Sequence, residues 1–339
     1  MYARPLAITT GDPGGVGPEI SVRAALAVPD DAGVVLYGDA GALAARALAL
    51  GVEPRRIVRF DPGDERSLGA ACLGLVDVGA CSAEALRPEP TAAGGRAQLA
   101  ALDAALAAAL AGRVRGIVTA PMSKAAVNLA GHAFIGHTEH LARAAGLADD
   151  DVTMMFLGPR LSVALATTHV AVAKLPSEVT QPRVQRAIEH LAAALLRARP
   201  EARPLRIGVT GLNPHAGEGG LFGDEEMRSI APAIVAARAR VPFADGRVVL
   251  SGPLGAETAL RWAASGELHG VVAMTHDQAT VASKLLNWTL AVNVTWGLPF
   301  VRTSVDHGVA YDAAAQGTAD PAGMVSALTL AQRLTSVPL

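Results

Sequence analysis

Leu205-Arg206-Ile207-Gly208-Val209-Thr210-Gly211-Leu212-Asn213-Pro214-His215-Ala216-Gly217-Glu218 is the stretch on which the fold turns. Residues 205–209 form an apolar run of strand length, and the glycine- and proline-bearing segment after it breaks the run at a histidine. The pattern recurs twice, 161–166 leading into Thr168-His169 and 270–274 into Thr275-His276-Asp277-Gln278. Short apolar runs bounded by turns read as buried strands. In open α/β sheets the carboxyl ends of the strands line the ligand crevice, so His169, His215 and His276 are expected at such ends.

Moving outward, apolar runs alternate with Ala/Leu-rich stretches: 6–9 then 19–26, 34–37 then 40–50, 116–119 then 123–128. That alternation predicts an α/β fold with largely parallel sheets. A length of 339 residues favours two domains. Half the chain is apolar (51%) but only 4% is aromatic, so the cores must be built from Ala, Val and Leu. The Ala/Leu helix at 99–110 is too short to span a membrane and is expected to pack inside. Pro-rich 87–90 and 199–204 punctuate the chain without resembling flexible linkers.

Lys plus Arg (29) nearly balance Asp plus Glu (31) and no basic block stands out, which argues against nucleic-acid binding. Cys72 and Cys81 are too few for a disulfide scaffold and lack the partners of a zinc cluster. Residues 1–8 carry no secretory pattern and no run approaches a membrane span, so a cytoplasmic location is expected.

Neutral imidazoles at neighbouring strand ends suit one shared divalent metal. A single histidine more often serves as a hydrogen-bonded helper, and His132, His137, His140, His190, His269 and His307 show that the residue is not reserved for metal. His190 reads as a helix surface residue. The turn Thr9 to Glu19, rich in glycine, is either an anion cradle at a helix start or a strand-to-helix turn capped by Asp12. Lys124, in Thr119-Ala120-Pro121-Met122-Ser123-Lys124, and Gly136-His137-Thr138-Glu139 could hold an anion, or Ser123 and Thr138 could be simple helix caps. Lys284, Asn293 and Arg302 suit an anionic, oxygen-rich molecule, or are surface charges and a strand-end cap.

The ordered set Gly11-Asp12-Pro13, Gly17-Pro18-Glu19, Gly136-His137-Thr138-Glu139, Thr167-Thr168-His169, Leu212-Asn213-Pro214-His215-Ala216-Gly217-Glu218, His276-Asp277-Gln278 and Arg302-Thr303-Ser304-Val305-Asp306-His307-Gly308 resembles the PdxA family, the 4-hydroxythreonine-4-phosphate dehydrogenases of vitamin B6 synthesis. The resemblance runs through nearly the whole chain. It implies two α/β/α domains around a cleft, similar to isocitrate and isopropylmalate dehydrogenases, placed at 1–125 with about 300–339, and at about 126–299. It also implies a homodimer with its active sites at the subunit interface, NAD or else NADP as cofactor without the usual glycine fingerprint, and a divalent metal, zinc, cobalt or magnesium. By position, His169, His215 and His276 match the metal ligands; His137, Thr138, Lys284, Asn293 and Arg302 match the substrate-binding residues. Glu257 stands where the family more often has aspartate, and Thr275, Ala279-Thr280 and Trp296 are less usual.

The implied reaction oxidises the C3 hydroxyl of 4-phosphooxy-L-threonine and decarboxylates the product to 3-amino-2-oxopropyl phosphate. Glu257, Asp277 and a metal-bound hydroxide stand as candidate bases. Relatives that oxidise four-carbon phosphorylated sugar acids or dihydrodiol carboxylates share the same anionic handle. A metal-dependent hydrolase is a more distant alternative.

Overall fold

The computed structural model describes residues 4–28, 33–61, 72–79 and 81–336. In chain order its strands are β1 (Leu6–Thr9), β2 (Val34–Gly38), β3 (Ile57–Arg59), β4 (Leu73–Asp77), β5 (Gly116–Thr119), β6 (Thr153–Leu157), β7 (Ser162–Leu165), β8 (Leu205–Thr210), β9 (Val248–Leu254), β10 (Gly270–Ala273), β11 (Val292–Trp296) and β12 (Val301–Ser304). The chain divides into two compact units, Met1–Asp149 with Leu298–Leu339, and Asp150–Gly297. Residues 126–149 fall in the first unit, because the helix Lys124–Leu129 packs on the helix Ala92–Leu110.

In the first unit the strand order is β3-β4-β2-β1-β5-β12, parallel throughout. Every residue of β1, β5 and β12 is buried, which is why β1 and β5 read as unbroken apolar or small-residue runs rather than alternating ones; β12 differs in carrying Arg302. The expected Ala/Leu helix is longer than its apolar run, spanning Ala92–Leu110, and Thr91 caps it by accepting from the Gly94 N–H at 2.9 Å. Small residues dominate its buried positions and let it lie close on β2 and β1.

In the second unit the order is β11-β6-β7-β10-β8-β9. β6 runs antiparallel to both neighbours, whereas β7, β10, β8 and β9 are mutually parallel. The helix Gln181–Ala198 buries Val184, Ala187, Ile188, Leu191 and Leu195, the three-and-four spacing of one helical face. His190 lies on this helix but is not simply a surface residue. Its Nδ1 is 2.8 Å from Thr153 Oγ1, and burial pushes the imidazole down to about 4. Among the described residues no helix is long and apolar enough to cross a membrane.

Candidate functional site

Parallel pairing of β7, β10 and β8 brings the three histidine-bearing segments to the same end of three adjacent strands. His169 follows β7, where Thr167 is fixed by its hydroxyl donating to the Met274 carbonyl at 2.7 Å. His276 opens the helix His276–Asn287 directly after β10. The two rings lie 5.6 Å apart, centroid to centroid. Asp277 Oδ1 is 2.9 Å from His276 Nδ1, which leaves Nε2 as the outward nitrogen. A carboxylate behind a histidine is how metal-binding imidazoles are oriented.

Gln278 binds these strand ends together. Its Oε1 accepts the N–H of Met274 (2.9 Å) and Thr275 (3.2 Å) and the hydroxyl of Thr210 (3.3 Å), while its Nε2 donates to the Gly211 carbonyl at 3.2 Å. It also closes a capping box with Thr275. The motif His-Asp-Gln thus resolves into a candidate ligand, a side chain that orients it and a clip from β10 to β8.

His215 stands on a different kind of structure. Residues 215–219 form a left-handed turn, with φ of 52°, 53°, 78°, 45° and 68°. Three of them, His215, Ala216 and Glu218, carry a Cβ, at a cost of about 1–2 kcal/mol each. The His215 ring faces Phe222 at 6.3 Å. Beneath the turn, Glu226 Oε1 accepts the N–H of Leu212 and of Asn213, both at 2.8 Å, and Asn213 Nδ2 donates to Glu226 Oε2 at 2.9 Å and to Glu225 Oε2 at 2.7 Å. The Asn213 hydrogen bond is the largest influence holding Glu225 below the usual carboxylate range. Sequence reasoning missed both glutamates. Their signal, an acidic pair just past a glycine-rich loop, resembles any solvated helix start.

As a donor set, His169 and His276 fit a shared divalent ion. Among the described residues no three His, Cys, Asp or Glu side chains are gathered as a metal would need, so His215 does not complete the trio in this arrangement. Glu257 is exposed on the helix Ala256–Ala264 and pairs with Arg261 at 3.0 Å. Asn293 lies inside β11, not at its end, with a buried Oδ1 that has no hydrogen-bond partner among the described residues. Lys284 sits two turns along from His276 on an exposed stretch of the same helix.

In the first unit a second cluster forms where β5 and β12 end. Arg302 is 2% exposed and donates from Nη2 to Thr119 Oγ1 at 2.8 Å. Burial lowers its guanidinium to about 10, opposed by Glu139. His137 begins the helix His137–Ala144, with Thr138 in the first turn, and burial, then the charges of Arg302, His140 and Lys124, hold its imidazole well below the usual range. His137 is therefore neutral at physiological pH, and its Nε2 is buried without a hydrogen-bond partner among the described residues. Ser123 is a helix cap, accepting from Ala126 N–H at 3.1 Å. Thr138 is not, since Gly136 occupies the cap position. A neutral imidazole beside a buried guanidinium and Lys124 is suited to a small multivalent anion.

The glycine-rich turn after β1 is filled by the chain itself. Gly11 has φ 68°, and a methyl there would overlap the Pro121 carbonyl oxygen. Asp12 Oδ1 accepts the Gly14 N–H at 2.9 Å, and its Oδ2 accepts from the Tyr311 hydroxyl at 2.8 Å and Gln98 Nε2 at 3.1 Å. The strand-to-helix reading of this turn is the one its packing supports.

Paired imidazoles at the ends of parallel strands in one unit, and a buried cationic corner in the other, equip an α/β enzyme for small anionic, oxygen-bearing substrates. The family described as pyridoxal phosphate biosynthetic protein PdxA matches residues 30–331, and the chain belongs to that family. The 4-hydroxythreonine-4-phosphate dehydrogenase of Geobacter metallireducens is 41% identical over 98% of this chain and 96% of its own length. The crystal structure of 4-hydroxythreonine-4-phosphate dehydrogenase from Klebsiella pneumoniae is 38% identical, with 99% of each chain covered and a TM-score of 0.83. A terephthalate 1,2-cis-dihydrodiol dehydrogenase from Burkholderia xenovorans is 33% identical over 98% of each chain, with a TM-score of 0.70.

Proposed function

We propose that this chain oxidises 4-phosphooxy-L-threonine at C3 with a nicotinamide dinucleotide, in the biosynthesis of pyridoxal 5'-phosphate. The names of its relatives support the reaction. The observation in the molecule that carries it is the buried corner at His137, where Arg302 and Lys124 surround a neutral imidazole with an open nitrogen. That corner is assigned to the phosphate, with Thr138 beside it; Lys284 and Asn293 keep the substrate-binding role that the family resemblance implies.

Chemically, hydride leaves C3 for the nicotinamide as the hydroxyl proton goes to a base. The β-keto acid then loses carbon dioxide, because its ketone accepts the electron pair released at the α-carbon. Protonation at that carbon gives 3-amino-2-oxopropyl phosphate. His169 and His276 would hold a divalent ion, zinc, cobalt or magnesium, with His215 on the turn after β8 as the third ligand of this reading, and the ion would supply Lewis-acid polarisation of the alcohol. Asp277 keeps the His276 ring in place through Nδ1. Of the two carboxylates considered as base, Asp277 touches a candidate ligand, whereas Glu257 is engaged by Arg261. A pH–rate profile unchanged in Glu257→Gln removes Glu257 from the chemistry.

A homodimer with its active sites at the subunit interface belongs to the same reading. Val281, Leu285 and Trp288 are exposed at helical spacing and suit a covered face. Light scattering after size exclusion tests this, and a monomer at micromolar concentration rejects it.

The dihydrodiol dehydrogenase relative supports a second reading, oxidation of a dihydrodiol carboxylate. The deciding experiment follows NADH absorbance with added divalent metal and, in parallel, 4-phosphooxy-L-threonine, D-erythronate 4-phosphate and a dihydrodiol carboxylate, each with NAD and with NADP. Turnover of the first alone supports the vitamin B6 assignment. Turnover of another alone moves the chain to that substrate, and silence with all three rejects the dehydrogenase reading.

A further inference from the structure

The left-handed turn at 215–219 runs against the preference of three of its five residues, so something outside it must hold it. Glu226 is placed to do so. The residue is 4% exposed, and its carboxylate lies between Gly211 and Gly217, where a methyl group at either would come within 2.8 and 2.7 Å of its oxygens. The N–H groups of Leu212 and Asn213, at the entry to the turn, both end on Oε1, and the Asn213 side chain ends on Oε2. Glu225 takes the same Asn213 amide and is itself held by Arg228 Nη2 at 2.9 Å.

We propose that Glu226, acting with Asn213, is a positioning residue that locks the left-handed turn and so fixes where His215 is presented. The proposal rests on the reading above in which His215 joins His169 and His276 as a metal ligand. Its chemistry leaves little room for a neutral substitute. In Glu226→Gln the new NH2 group would face the Asn213 NH2 group, and rotating the Asn213 amide would turn its oxygen toward the Glu225 carboxylate. Orienting groups behind metal ligands typically change affinity by about 10–100-fold when lost.

The test uses the full chain, with amide hydrogen exchange across 211–220 and Co2+ titration followed by absorbance, on wild type, Glu226→Gln and Glu226→Gln/Ala216→Gly. In Glu226→Gln the Leu212 and Asn213 amides are expected to exchange about tenfold faster or more, and Co2+ affinity to fall by about 10–100-fold. Adding Ala216→Gly, which removes a Cβ from the left-handed run, is expected to restore part of the Co2+ affinity. A general loss of stability would instead speed exchange across the whole chain and not at 211–220 alone. Wild-type exchange and wild-type Co2+ affinity in Glu226→Gln overturn the proposal. If wild type takes up no Co2+, the ligand assignment falls, and with it the role in presenting His215; unchanged exchange in Glu226→Gln would then remove the lock as well. Should Glu226→Gln fail to fold, Asn213→Ala leaves the carboxylate its two backbone donors and is expected to shift both readouts in the same direction; wild-type behaviour there overturns the lock.

Discussion

Two glycine-rich turns follow parallel strands, one after β1 and one after β8, and they use glycine in opposite ways. After β1 the chain folds inward. Gly11 rests against the Pro121 carbonyl and the buried Asp12 is saturated by Tyr311, Gln98 and the Gly14 amide. After β8 it turns outward, and non-glycine residues take the left-handed conformation while Glu226 fills the space beneath. Glycine density alone therefore does not mark a ligand cradle. What separates the turns is what they present: the first closes over the buried Asp12 carboxylate, whereas the second is held from beneath and leaves His215 exposed.

The contrast is most severely tested at Gly11. Gly11→Ala adds left-handed strain and an overlap with backbone, and is expected to cost roughly 3–5 kcal/mol. Urea unfolding with an unchanged slope measures it, and a loss below about 1 kcal/mol would mean that the inward turn has room to spare. The corner at His137 extends the contrast to a site with open polar atoms. Arg302→Met should lower kcat/KM for a phosphorylated substrate by about 100-fold, near 2.7 kcal/mol, with little effect on an unphosphorylated one. Equal losses on both would mean that Arg302 supports the fold rather than the phosphate.

Asp12 offers a smaller, pH-resolved effect. Burial is the dominant influence and raises its carboxyl above 3.8 in the folded chain, so the native state binds more protons than the unfolded one above that value. Stability from this group is therefore present at low pH and declines as pH rises from 3.8 through the higher folded value. Asp12→Asn should flatten that decline in a series of denaturation curves. Parallel pH slopes in the two proteins would show that the carboxyl does not titrate as burial dictates. The smallest effect has the opposite sign to the first. Ala216→Gly should stabilise the protein by about 1 kcal/mol, because the native φ of 53° suits glycine. A destabilisation would place the turn's cost elsewhere.

The α/β alternation was legible because fully buried strands leave unbroken apolar runs: 205–209 and 116–119 coincide with β8 and β5 to within one residue. The strand-end positions of His169, His215 and His276 followed from the same runs. Less visible was how the ends are held. Gln278 was part of a motif, but its bonds to Thr210 and Gly211 span more than sixty positions of chain. Glu226 lay hidden because an acidic residue in a polar stretch gives no periodic signal, and only the fold returns it to Leu212 and Asn213. His190 was misjudged for the same kind of reason, since its partner Thr153 is distant in sequence.

The Gln278 clip has a consequence for how this protein can vary. One carboxamide serves Thr210, Gly211, Met274 and Thr275 at once, so its neighbours cannot drift independently. Replacement of Gln278 strands donors on two chain segments together, and a compensating change at one leaves the other exposed. Positions 210 and 278 should therefore behave as a linked pair in any mutational library, with tolerated variants arriving jointly and single changes at either depleted.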